Sequence, residues 1–254
     1  MQRYVAAGLM LFTMAGCAVK TPHKPLAQWP VDHRGVFYAN PAPLRIAIAP
    51  FTDQRPREEI KGLKPTGMFF LLWNRRKGEY YTGDHIFGAD IPTGIAHWLT
   101  RYLDEANIAA HVVQAPTPAT PIDFSNAEQV RRYAAAHVAD FVLTGDIEHF
   151  HGSQYQNTSF YLLPLWFINT FGWQDELGLP WGRTAIRFSL YDGRSGDAVW
   201  KRTLDASETM PAKSSTMAEA ALESLSTVGG NLAIAIRQLN LQPPVMATAI
   251  EEAP

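Results

Sequence analysis

The apolar spacing between Leu44 and Leu239 changes repeatedly from a strand pattern to a helix pattern, and this order constrains the fold more than any other feature. Apolar residues alternate over Leu44 to Ala49 and over Thr184 to Tyr191, which predicts strands. Other stretches repeat their apolar residues every three or four positions, which predicts helices. The resulting order β-α-β-α-β-β-β-α predicts an α/β (α+β) protein with a single mixed sheet and helices packed on it.

Three helices are predicted from their first residues. The predicted starts are Asp90 with Pro92 in the first turn, Ser125 followed by Glu128, and Thr216 followed by Glu219. The Ser125 and Thr216 pairs have the spacing of a capping box, in which the two residues satisfy each other's backbone N–H groups. The last helical pattern runs from Ala220 to Leu239, and Gly229-Gly230 is expected to interrupt it.

The remaining elements are predicted as strands. Leu44, Ile46 and Ile48 share one face of the first, and Ala110–Val113 forms a short second one. Phe141 to Phe150 begins as an apolar run and ends in polar residues, as a buried strand does when it reaches the edge of a domain. The turn from Asp192 to Gly196 joins the Thr184–Tyr191 strand to a partner at Ala198–Leu204, which predicts a hairpin.

The N-terminus carries the strongest localisation signal. A basic start at Met1–Arg3 precedes an apolar stretch, Tyr4 to Met14, that is too short to span a bilayer. The run Leu11 to Cys17 then resembles the bacterial lipobox, in which a peptidase cuts before a cysteine that has received a diacylglycerol. Met14 stands where the lipobox prefers Leu. The resemblance implies a signal peptide at 1–16 and a diacylglyceryl, palmitate-bearing lipid attachment at Cys17.

Two alternatives to the lipobox remain open, an ordinary secretory signal with an unmodified cysteine and a cytoplasmic protein with an apolar N-terminus. Within the lipoprotein resemblance, Ala18 instead of Asp after the cysteine implies the outer membrane, with the domain on its periplasmic face. The predicted organisation is a signal peptide at 1–16, the acylated cysteine and a Pro-rich spacer at 17–43, a periplasmic α/β domain at 44–241, and a disordered tail at 242–254.

Three short motifs extend the resemblance to the domain. They are Ile46–Asp53, Ala139–Asp146, and Leu190–Gly193 continuing through Gly196 to Val199–Trp200. With the predicted element order, they resemble the curli secretion lipoprotein CsgG, the N-terminal domain of TolB, the peptidoglycan-synthase activator LpoB and the YajG-like lipoproteins. The resemblance implies an envelope protein that binds other macromolecules and performs no catalysis.

Two apolar insertions, near 66–82 and 153–181, depart from that resemblance. Both combine apolar and aromatic residues, and the first is edged by cations, a composition that suits a bilayer surface or a protein partner. The first interpretation is nevertheless that the insertions pack on each other and extend the core, and contact with a membrane or a partner is the alternative. The predicted contact residues are Phe69, Phe70, Leu72, Trp73, Arg75, Arg76, Leu165, Trp166, Phe167 and Trp173.

Catalytic, metal and cofactor signals are weak. His149 and His151 share one face of a strand, whereas Asp146 and Glu148 lie on the opposite face, so the four meet only at a bulge. Further conceivable ligands are His85, Asp84 and Asp90. The prediction is that the chain holds no metal and no cofactor and is not an enzyme. Asp53-Gln54-Arg55, after the first strand, is interpreted as a loop-fixing ion pair, with a ligand site as the alternative.

The net charge of −2 gives no positive field for nucleic acid. The sequence therefore predicts a non-catalytic, lipid-anchored periplasmic protein that binds an unidentified envelope protein or glycan. One alternative is an oligomeric subunit of a secretion or export complex, which would make the chain a homo-oligomer. The others are a lipid or glycan carrier lined by Trp residues and an envelope enzyme. The Trp residues are Trp166, Trp173 and Trp181, and the enzyme site would include His149, His151 and Asp53.

Overall fold

The computed structural model describes residues 24–33, 35–64, 66–70, 73–88, 90–115, 122–161, 176–212 and 215–241. Within these ranges, nine strands form one sheet. The strands are β1 (Ala42–Ile48), β2 (Thr52–Asp53), β3 (Thr66–Phe70), β4 (Trp73–Tyr81), β5 (Ala109–Gln114), β6 (Phe141–Tyr161), β7 (Glu176–Leu177), β8 (Trp181–Asp192) and β9 (Ala198–Thr209). The helices are α1 (Arg57–Lys61), α2 (Ile91–Glu105), α3 (Ala127–Ala136) and α4 (Met217–Gln238), and short 3₁₀ turns occur at Leu26–Gln28 and Asp84–Ile86.

The 21-residue strand β6 is the centre of the sheet. Its first residues pair in parallel with β1 and antiparallel with β8, so β1 and β8 lie on opposite edges of β6. Strand β5 extends the sheet beyond β1, and β9 extends it beyond β8. Ser153 pairs with both β4 and β8. From Ser153 onward, β4 lies along the same edge of β6 that β1 occupies near Phe141. The predicted single mixed sheet with packed helices is confirmed.

Both faces of the sheet are covered by helices. Leu44, Ile46 and Ile48 are at most 1% exposed and lie in the main core, with residues of α2 and α4. Ala49 and Val142 belong to a smaller core with residues of α3 on the opposite face. The predicted face of β1 is therefore confirmed. On the other face, Pro43 and Arg45 are exposed, and only the small residues Ala47 and Ala49 at the end of the strand are buried.

Two predicted helix starts are confirmed and one is wrong. The Asp90 side chain accepts a hydrogen bond from Thr93 N–H, and Thr216 forms its capping box with Glu219. The second helix begins one residue later than predicted, because Asn126 accepts from the N–H groups of Glu128 and Gln129. Ser125 instead donates to Asp123, 2.6 Å away. Ser125, which the capping-box spacing predicted as the helix cap, is therefore part of an Asx turn before the helix.

The expected interruption of the last helix at Gly229-Gly230 is wrong, because α4 continues from Met217 to Gln238. An added Cβ at Gly229 would lie 3.2 Å from the Tyr102 ring and 3.3 Å from the Trp98 ring. The glycine therefore permits close packing of α4 on α2, and this packing offsets its low helix propensity.

The predicted spacer packs on the domain from Leu26 onward. Leu26 is 1% exposed, and its N–H donates to the carbonyl of Phe87 over 2.9 Å. The Arg101 guanidinium of α2 donates to the carbonyls of Ala27 and Trp29. A Pro-rich composition predicts extended backbone, whereas here the segment includes the 3₁₀ turn at Leu26–Gln28 and is held against a helix by hydrogen bonds to its carbonyls.

Candidate functional site

The two apolar insertions meet in one antiparallel ribbon, formed by β3, β4 and the end of β6. Phe70 is the register partner of Trp73, and Trp73 is in turn the partner of Tyr161. The ribbon continues for eight residues beyond Ser153, where the pairing of β6 with β8 ends. At about 3.3 Å per residue this is about 26 Å of strand. Both insertions therefore reach the same end of the sheet.

The predicted contact residues divide between this ribbon and the undescribed parts of the chain. Phe69 and Phe70 belong to β3, and Trp73, Arg75 and Arg76 belong to β4. The lipid-attachment residue Cys17 and the contact residues Leu72, Leu165, Trp166, Phe167 and Trp173 lie outside the described residues. Trp181, a predicted carrier residue, lies in β8, where its indole N–H donates to Glu79 over 2.9 Å.

A second candidate site lies where α1 packs on β6. The carboxylate of Glu59 faces two imidazoles, with Oε1 2.6 Å from Nδ1 of His149 and Oε2 3.1 Å from Nδ1 of His151. Pro56 precedes α1, a short helix in whose first turn Glu59 is buried. The β6–β8 register shifts between Ile147 and His149, which indicates a bulge, but the four strand residues considered from the sequence still do not meet. Glu59 of α1, and neither Asp146 nor Glu148, meets the histidines.

The Glu59 carboxylate is held in its ionised form. Burial raises its pKa, but the neighbouring His151 and His149 and the N–H of Phe150, which donates to Oε2 over 3.2 Å, bring that pKa below its ordinary value of 4.5. Glu59 is 5% exposed. The site therefore combines a buried negative charge with two nitrogen ligands that can accept a proton or bind a metal ion.

Aromatic rings enclose His151. The Tyr81 ring meets it edge-on at a centroid distance of 4.9 Å, and the Trp181 ring does so at 5.3 Å. His151 is 3% exposed, and among the described residues its Nε2 has no hydrogen-bond partner and its Nδ1 lies 3.1 Å from Glu59 without hydrogen-bond geometry. The His149 side chain remains 29% exposed, so the site is open to solvent on that side.

The loop after β2 is fixed by a buried cation. The Arg55 side chain is 1% exposed and donates to both carboxylate oxygens of Asp53 and of Asp84, over 2.7–3.0 Å. Burial lowers the pKa of Arg55, but these hydrogen bonds raise it well above its ordinary value, so the guanidinium stays charged. The predicted ion pair is thus present, and the structure extends it to Asp84.

The structure separates the residues that the sequence grouped as conceivable ligands or as an enzyme site. Asp84, a conceivable ligand, and Asp53, from the enzyme-site alternative, both bind Arg55, and Asp90 caps α2. Among the described residues, the group that could hold a metal ion is Glu59 with His149 and His151. Sequence reasoning missed Glu59 because it is 90 positions from His149 and lies in a short polar stretch without periodicity.

Comparisons with known proteins assign no family. No protein-family model matches the chain, and no curated protein matches it. Solved structures with loose similarity include a DUF330 protein from Xanthomonas campestris, with a TM-score of 0.41 and 14% identity over 80% of this chain and 94% of that one. A PelC dodecamer from Paraburkholderia phytofirmans has a TM-score of 0.38 and 14% identity over 76% and 93%. A Neisseria meningitidis lipoprotein has a TM-score of 0.34 and 12% identity over 78% and 99%.

Proposed function

We propose that this chain is a non-catalytic, lipid-anchored protein of the bacterial envelope that acts as a binding and assembly module, with the β3–β4–β6 ribbon as its contact surface. The observation that carries this proposal is the register of Phe70, Trp73 and Tyr161 across three adjacent strands. The two apolar insertions, whose composition suits contact with a partner, thus lie side by side at the same end of the ribbon. In this proposal Cys17, outside the described residues, holds the domain on the periplasmic face of the outer membrane.

The occupant that suits the ribbon best is a strand of an envelope protein. In the described part of the chain, β3 has one neighbour, β4, so its other edge offers backbone N–H and C=O groups to a partner strand. Strand addition supplies affinity through these groups, whereas the side chains supply specificity. Tethering keeps the domain near partners in the same compartment, so a weak contact is sufficient for function.

The same edge favours a second candidate function, an oligomeric subunit of an envelope secretion or export complex. An unpaired strand edge is a template for a second copy of the chain as well as for a different protein. The two candidates share the surface and differ in the occupant. A measurement that identifies what touches β3 therefore separates them.

Anchoring predicts that acylation depends on Cys17. In cells supplied with labelled palmitate, we expect the full chain to be labelled and Cys17→Ala to carry no label, because the lipid is attached at that cysteine. Two or three acyl chains there make membrane attachment nearly permanent. Mass spectrometry of the purified chain checks the N-terminus, which should begin at an acylated Cys17. A wild-type chain with an unmodified cysteine would contradict the anchoring part of the proposal.

Photocrosslinking tests the contact surface. With a photoreactive residue in place of Phe70 in the full chain in cells, we expect an adduct between this chain and a different protein. Val199 is the matched control, because it is an apolar residue, 43% exposed, on β9 at another edge of the sheet. The adduct should be absent with the control.

Each result of the crosslinking experiment has a distinct meaning. An adduct of twice the chain mass would replace the binding module with the oligomeric subunit. A lipid adduct, or no adduct, at position 70 would exclude the ribbon as a protein-binding surface. An adduct of equal yield at positions 70 and 199 would show contact without a specific site.

A further inference from the structure

We propose that Glu59, His149 and His151 bind a divalent transition-metal ion of the zinc class. One ligand atom from each residue lies within 4.8 Å of the others. Two imidazole nitrogens and a carboxylate oxygen are a donor set that zinc accepts, with a fourth position left for water. The site is independent of the ribbon, so either proposal can fail without the other.

The unpartnered imidazole of His151 is the observation that points to a ligand. A ring nitrogen buried away from water normally has a hydrogen-bond partner. His151 Nδ1 lies 3.1 Å from Glu59 Oε2 without hydrogen-bond geometry, and no residue that the structure describes is a hydrogen-bond partner of its Nε2. An ion bound to Nδ1 would satisfy the lone pair that faces the carboxylate.

The distances require only a small adjustment. Bonds of about 2.0–2.1 Å in a tetrahedral site place ligand atoms about 3.3 Å apart. The separation of 3.1 Å between Glu59 and His151 is already close to this value. The 2.6 Å contact of His149 is made to the other oxygen, Oε1, so this contact must open for Nδ1 of His149 to bind an ion held by Oε2, and the half-buried His149 side chain can supply that movement.

The surroundings orient the ligands and admit the ion. The Phe150 N–H holds Oε2 of Glu59, and the rings of Tyr81 and Trp181 fix the plane of His151. Such outer contacts orient metal ligands and raise affinity. The His149 side chain, at 29% exposed, provides the path from solvent.

Zinc titration of the full chain tests this site. The protein is purified in detergent without a polyhistidine tag, stripped with a chelator, and titrated with Zn²⁺ by calorimetry and in competition with a chromophoric chelator. We expect one equivalent to bind. Glu59→Gln, which preserves side-chain size, and His149→Ala should each weaken binding about tenfold or more, since even loss of an outer contact costs 10–100-fold. Co²⁺ in the same site should give the visible absorption of a tetrahedral complex.

Matched variants distinguish zinc binding at this site from nonspecific zinc binding by other histidines. His111→Ala removes an exposed histidine of β5 and should leave the affinity unchanged. His151→Ala should abolish the Co²⁺ spectrum; its circular dichroism shows whether it is folded, and the His149 and Glu59 variants test the site if it is not. The proposal is overturned if the wild-type chain binds no zinc, or if its affinity survives both Glu59→Gln and His149→Ala.

Discussion

Gly182→Ala is expected to lower the free energy of unfolding by about 3 kcal/mol or more, because α4 lies directly on the backbone of β8. A Cβ added at Gly182 would stand 2.0 Å from the carbonyl oxygen of Ala220 and 2.5 Å from the nitrogen of Ala221. Both atoms belong to the helix backbone, so the helix itself must move. Urea unfolding at neutral pH, followed by circular dichroism, measures the loss.

The neighbouring strand supplies a second test of this packing. Gly152 of β6 is the register partner of Gly182, and a Cβ there would lie 1.8 Å from the carbonyl oxygen of Met217. Gly152→Ala should therefore be at least as destabilising. Gly230→Ala is the control, because its nearest contact is the Tyr102 hydroxyl at 3.3 Å and alanine favours a helix by about 1 kcal/mol. A Gly182→Ala protein as stable as wild type would contradict the close approach of α4.

Arg55→Ala is expected to cost about 3 kcal/mol of stability at neutral pH. The substitution removes a cation whose side chain is 1% exposed and leaves Asp53 and Asp84 without their common partner. An exposed ion pair contributes much less. Arg187→Ala, which removes the exposed partner of Glu148, is therefore the control and should change stability only slightly.

The cost of Arg55→Ala should decrease in acid. Burial raises the pKa of Asp53, but hydrogen bonds from the side chain and backbone of Arg55 bring it below the ordinary value of 3.8. The ionised pair thus stabilises the wild-type protein at and above neutral pH. This contribution is lost as pH falls below 3.8 through the lower folded-state pKa. Urea unfolding from pH 7 to pH 3 measures the difference, and an unchanged difference would assign the loss to packing rather than charge.

Elements with a strong local signal could be predicted from the sequence. The alternation over Thr184 to Tyr191 and the turn from Asp192 to Gly196 predicted the β8–β9 hairpin, and Asp90 was correctly assigned as a helix cap. The first strand was assigned with its buried face. These features depend on residues within a few positions of one another, so the sequence carries them directly.

The ribbon was missed because its composition predicts burial or contact more strongly than it predicts strands. Met68 to Trp73 is a continuous apolar run, which does not distinguish a strand from a buried helix. Pairing with β6 makes the segment a hairpin at the sheet edge. Strand β6 itself continues 11 residues past Phe150, because β4 pairs with it from Ser153 to Tyr161 after its pairing with β8 ends.

By itself, the sequence determined the mixed sheet, its main helices and the lipobox-like run that ends at Cys17. The tertiary structure alone decided that Glu59 meets His149 and His151, that Asp84 joins the Asp53–Arg55 pair, and that glycines 152 and 182 face the same helix. The physical reason is the distance along the sequence between the residues that interact. Helix caps and strand alternation are local interactions, whereas these contacts join segments that only the completed sheet brings together.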